Sequence, residues 1–261
     1  TFEGTSLIET LSGSMVFNLS GDTTMQGDFI ARGDGASIII NSSGTLALKG
    51  SLTAQRDILI GAGSNVVAGE VSLLTDGAAT FNTLDAGSQI VLFGVNDVVI
   101  DSNVGRGSAG LELIQASSAT GTLTLMEASG WLESDNLIVL SGQHVDVAGV
   151  LRNNQATAAD DDFELIISAV DDVYLHGAIG IVGSMFIEAG DDIEVANMAL
   201  SAQSSGASLV LVAGDAVTMG GDAPTIASIE GESTAVIAEA HTLLSVSAGG
   251  SLRLSDDAQL M

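Results

Sequence analysis

An eleven-residue cassette occurs twice between Met185 and Met219 and limits what this chain can fold into. Met185-Phe-Ile-Glu-Ala-Gly-Asp-Asp-Ile-Glu-Val195 and Leu209-Val-Leu-Val-Ala-Gly-Asp-Ala-Val-Thr-Met219 agree position by position: apolar, any, apolar, any, Ala-Gly-Asp, any, apolar, any, apolar. Apolar residues at every second position mark a half-buried strand, and Gly or Asp marks a tight turn. Each cassette therefore reads as two short strands around a corner. The offset, 209 − 185 = 24 residues, is a period of repeat architectures.

Further copies begin at Met15, Ile38, Ile58, Ile90, Leu111, Leu137, Leu165 and Ala235, so nine gaps cover 220 residues, about 24 per repeat. A segment from Val71 to Phe81 starts 13 residues after Ile58 and reads as another side of that coil. Ser117 to Gly121 reads as an insertion bulging from the body. No stretch carries an apolar face at helical spacing, and helix-capping signals are missing. The expected fold is all-β: a parallel β-helix (β-solenoid) of roughly ten coils, one domain over residues 1–261, with 1–14 a cap or partial coil. One inward ladder is expected through Ile90, Leu137, Leu165, Met185 and Leu209, and another through Val98, Val145, Val173, Ile193 and Val217. A β-propeller needs blades of about 40 residues and periodic aromatics, whereas aromatics here are 3%.

Charge narrows the partners. Thirty-three acidic and six basic residues give a formal net charge of −27. Nucleic acid is excluded as a partner, because phosphate binding needs clustered Lys and Arg. Anionic lipid is repelled in the same way, and cations are the natural small partners. No apolar run reaches the length of a membrane span, so no membrane insertion is expected. With no cysteine, disulfides, thiolate metal sites and Cys nucleophiles are out of reach. The start at Thr1, without signal peptide or initiator Met, reads as a processed product or a piece of something longer.

Acid pairs at the corners are the candidate chemistry. Asp171-Asp172, Asp191-Asp192, Asp256-Asp257 and the run Asp160-Asp161-Asp162 would stack carboxylates one strand spacing apart. One reading is a set of solvated turns, which Asp suits. The other is Ca²⁺ held by Asp160, Asp161, Asp162, Asp171, Asp172, Asp191 and Asp192, relieving the repulsion. Paired carboxylates could also serve a polysaccharide lyase or hydrolase. Against that, Arg32, Lys49, Arg56, Arg106, Arg152 and Arg253 are scattered, and Trp131 and Tyr174 are the main aromatics for a sugar groove. His144, His176 and His241 read as solvated turn residues, and no catalytic residue is assigned.

Cassettes such as Ile187-Glu-Ala-Gly-Asp-Asp-Ile-Glu-Val195 and Leu211-Val-Ala-Gly-Asp-Ala-Val-Thr-Met219 resemble coils of filamentous-haemagglutinin-type bacterial exoproteins. The resemblance runs from about Met15 onward, with irregular spacing around Val71 and Leu111. It implies a right-handed parallel β-helix exported to the bacterial cell surface. The expected function is accordingly structural and not enzymatic: an extracellular rod for adhesion or for filament or matrix assembly. Its partners would be further copies, other surface proteins or glycans. Ser251 to Leu254 looks like the start of one more side, so Leu252 and Leu254 are the candidate edge for end-to-end stacking. The alternatives are the lyase or hydrolase and a calcium-binding surface-layer module.

Overall fold

The computed structural model describes residues 7–75, 87–106, 110–127, 130–154, 163–196, 199–202, 207–219, 237–240, 243–254 and 259–260. Among these, the regular structure is strand, and the strands pair in parallel. One sheet stacks ten strands in chain order: Met15–Leu19, Ile38–Ser42, Ile58–Ala62, Ser88–Gly94, Leu111–Ser118, Leu137–Gly142, Phe163–Ala169, Ser184–Ala189, Ser208–Ala213 and Leu243–Ala248. The stacked strands make about seven turns, against the roughly ten expected. The chain is a parallel β-solenoid.

The second sheet, of 17 strands, covers two further sides of each coil. Near the N-terminus one long strand supplies both sides. Thr23–Ala31 and Leu46–Ala54 each bend at a glycine, Gly27 (φ 134°) and Gly50 (φ 103°), which are register partners. Positive φ is open to glycine and strained for other residues, so the bend falls there. Later coils break at the same corner into separate strands, as in Thr122–Leu125 and Trp131–Ser134. Leu7–Thr10 pairs with Asp28–Ala31 and adds a side below the first full coil.

Inward residues form aliphatic columns. Val98, Leu123, Val145, Val173, Ile193 and Val217 are successive register partners and are fully buried, matching the second expected ladder with Leu123 inserted. The first ladder needs a correction. Ile138, not Leu137, stands between Ile114 and Leu165. The strand begins one residue earlier than its buried face, so Leu137 pairs with Leu113 at the corner and is half-buried. Removing each such Val, Leu or Ile from water contributes about 1.5–3 kcal/mol, so aliphatic residues make up most of the core, beside the buried ring of Phe29. Ser117 to Gly121 is not a bulge: Ala119 N donates to Gly94 O (3.0 Å) and Thr120 N to Val95 O (2.9 Å), in step with the coil below.

Candidate functional site

The corner that follows the ten-stranded sheet gathers the acidic residues. Glycine makes the corner because the coils approach closely there. A Cβ on Gly190 would collide with the Val170 carbonyl, one on Gly214 with the Gly190 carbonyl, and one on Gly249 with the Gly214 carbonyl. Amides beside these glycines form a vertical chain: Asp171 N donates to Gln143 O, Asp191 N to Asp171 O and Asp215 N to Asp191 O, each at 2.9 Å.

Several carboxylates in this corner have structural work. Asp172 Oδ1 accepts from Asp192 N (3.3 Å), and Asp192 Oδ1 accepts from Ala216 N (2.9 Å). The same device recurs lower down, where Asp22 Oδ1 accepts from Thr45 N (2.8 Å) and Asp97 Oδ1 from Thr122 N (2.9 Å). A carboxylate accepting an amide proton from the next coil satisfies a backbone donor at a turn, where strand pairing has stopped. Asp here does more than tolerate solvent: it ties coils together.

Histidine and tyrosine add to this ladder. His144 Nδ1 lies 3.2 Å from Asp172 Oδ2, and its Nε2 lies 3.5 Å from Asp171 Oδ2. Gln143 Nε2 donates to that same Asp171 oxygen at 2.7 Å, and Tyr174 Oη donates to Asp172 Oδ2 at 3.2 Å. The Tyr174 ring lies parallel to His176, whose Nε2 is 3.4 Å from Asp146 Oδ1. Partial burial raises the Asp146 pKa, and His176 offsets part of the rise. Tyr174 is also held above its ordinary value, by desolvation first and then by Asp172. Sequence spacing gave no sign that His144 would meet Asp171 and Asp172, because they lie on successive coils about 28 residues apart, a distance set by the repeat.

Among the described residues, one group of carboxylates is close enough together that it could hold a cation. Asp191, Asp192 and Asp215 each offer an oxygen, and the three oxygens lie within 4.8 Å of one another. Repulsion from Asp192, with smaller contributions from desolvation, Asp172, Asp215 and Asp171, raises the Asp191 pKa. Of the residues expected from sequence, Asp191 and Asp192 belong to this group, while Asp171 and Asp172 sit one coil below among His144, Gln143 and Tyr174. Asp215 was not expected, because Ala216 follows it and it forms no acid pair. Asp160, Asp161 and Asp162 lie outside the described residues, as do Asp256, Asp257 and His241. Leu252 and Leu254 stand on Ser251–Leu254, which pairs with Ala216–Met219; among the described residues no strand pairs with its other edge.

The basic residues are less scattered than their sequence positions suggest. The Arg106 guanidinium stacks 4.2 Å from the centroid of the Trp131 ring, and Arg152 lies 5.9 Å from it. Trp131 Nε1 donates to Glu133 Oε2 at 3.0 Å. Adjacent coils bring these together, since Glu133 and Arg152 are register partners. Elsewhere Arg32 pairs with Glu9, and Arg56 lies 3.6 Å from Asp57. Compared with known protein families, curated proteins and solved structures, the chain matches none.

Proposed function

We propose that the chain is a structural rod acting outside the cell, at a bacterial surface, in adhesion or in filament or matrix assembly by end-to-end stacking. The observation that carries this reading is the unbroken ladder from Met15–Leu19 to Leu243–Ala248. Nearly every described inward residue serves the stack, and the ladder ends in strands with one hydrogen-bonding edge unpaired among the described residues. A second copy fits that edge. Met15–Leu19 would continue the stack of strands that ends in Leu243–Ala248. In this reading the protein has no catalytic centre. Its further partners are surface proteins or glycans, with the Trp131 stack a contact for the latter.

Electron microscopy of the purified chain tests stacking directly. Fibres that disappear in the Leu252→Lys, Leu254→Lys variant support it, and fibres that persist unchanged contradict it. A panel of polysaccharides should show no degradation; turnover of any one would overturn the non-enzymatic reading.

The carboxylates of Asp191, Asp192 and Asp215 favour a second reading, in which Ca²⁺ stiffens the corner. Calcium takes about 6–8 oxygens, so three carboxylates would leave water or carbonyls to complete the shell. The melting temperature should then rise with Ca²⁺ in the wild type and not in Asp191→Asn, Asp215→Asn. An equal rise in both would leave this corner without a role in calcium binding.

A further inference from the structure

The ten-stranded sheet has an apolar outer face. Side chains alternate along a strand, so the residue between two inward positions points away from the core. That outward column runs through Ile39, Leu59, Val91, Val139, Ile166 and Phe186, with Gln115 at its centre, all in register. Neighbours above and below half-bury each of them, while Val16, at the N-terminal end, is 57% exposed. The adjoining outward column is mostly small, as at Asn41, Gly61, Ser141 and Ser168, and Phe93 stands from it at 41% exposure.

Charge avoids this face. Across its ten strands there is no Lys or Arg, and the only carboxylates are Glu112, Glu164 and Glu188, of which Glu164 is buried. In a chain of net charge −27, that depletion singles out one side. Parallel sheets are normally covered on both faces, and a contiguous apolar patch of this kind marks an interaction surface.

We propose that this face packs against the same face of a second copy, sheet on sheet. Three observations select that occupant. First, ten strands spaced ~4.8 Å apart, each about five residues wide, make a face of about 45 by 15 Å, or ~700 Å² per copy. That is close to the ~800 Å² per partner of a stable interface. Second, two strongly acidic chains repel wherever their charged sides meet, so a neutral face is where identical copies can approach. Third, the stripe repeats at the spacing of its own strands. Another parallel sheet presents side chains at the same interval, so the two stripes interdigitate rung by rung. This pairing is lateral and stands independently of end-to-end stacking: a lateral pair saturates at two chains, whereas stacking grows without limit.

Sedimentation equilibrium of the full chain at micromolar concentration tests it, alongside Val139→Lys, Ile166→Lys. Below the concentration at which fibres form, the wild type should be a dimer that tightens with added salt as repulsion between the acidic sides is screened. The Lys variant should be monomeric, with unchanged far-ultraviolet circular dichroism and affinity lower by about 100-fold or more. If the Lys variant fails to fold, Val139→Thr, Ile166→Thr keeps the β-branched shape and should weaken the dimer about tenfold. A monomeric wild type, its face being covered by its own chain or by another partner, would overturn the proposal. So would undiminished dimerisation of a folded variant.

Discussion

Gly214 and Gly61 show how differently one residue type is constrained in this fold. A Cβ at Gly214 would strike the Gly190 carbonyl, which is itself held in the corner stack. Gly214→Ala should therefore destabilise by about 1–3 kcal/mol, through displacement of the backbone. At Gly61 the nearest atom to an added Cβ is Asn41 Oδ1 at 3.7 Å, and φ is not positive. Gly61→Ala should be neutral or stabilise by up to about 1 kcal/mol, because it restricts the unfolded chain. Urea denaturation of the two variants checks both. Asp191 gives a pH-dependent counterpart. Its pKa is raised above 3.8, chiefly by Asp192, so its ionised form is disfavoured in the folded chain. The native state thus binds more protons than the unfolded state between the two pKa values, and stability falls as pH rises through that window. Asp191→Asn should melt higher than the wild type at pH 7, and the difference should close as pH falls below 3.8. Melting curves at pH 7 and pH 3 measure it; an equal gap at both would contradict the repulsion account.

Strands carry the stability through their inward columns. Ile167 is fully buried between Leu140 and Ile187, while its neighbour Ser168 faces outward. Ile167→Ala should cost about 2–5 kcal/mol, and Ser168→Ala should stay within about 0.5 kcal/mol. Much of this pattern was legible in the sequence. The second ladder from Val98 to Val217 follows from period-2 alternation and a fixed corner, which together specify which side of a strand is inside. The Leu137 error shows the limit. In Leu137-Ile-Val-Leu140 every residue is apolar, so alternation cannot set the phase, and the pairing with Ile114 and Leu165 decides it. The same ambiguity carries information. Triplets such as Ile38-Ile39-Ile40, Ile58-Leu59-Ile60 and Ile90-Val91-Leu92 are apolar throughout because the outward member belongs to the neutral face. Near-continuous apolar runs are the signature of parallel strands covered on both sides. The candidate cation group was half legible: Asp191 and Asp192 stand out as a pair, but Asp215 becomes visible only when the corner is stacked.

On the scale of the whole molecule, the repeat fixes nearly everything else. A period of about 24 residues with three sides per coil makes a rod whose length grows by one strand spacing per turn. Residues far apart in sequence are brought close by whole multiples of the period, as His144 is to Asp172, while sequence neighbours are held on different sides. Registered stacking is therefore the central claim, and it can be measured on the outward side of the second sheet. From Ala47 to Thr218 the register passes through Val67, Val99, Thr124, Asp146, Tyr174 and Glu194, seven steps. From Thr124 to Thr218 it passes four of these steps. The chain has no cysteine, so pairs of introduced cysteines can carry spin labels without background. Electron–electron distance measurement on Ala47→Cys, Thr218→Cys should give about 34 Å, and on Thr124→Cys, Thr218→Cys about 19 Å, each step being ~4.8 Å. Two distances in the ratio of seven to four support a stack of registered coils. Equal distances, or a longer separation for the second pair, would contradict it.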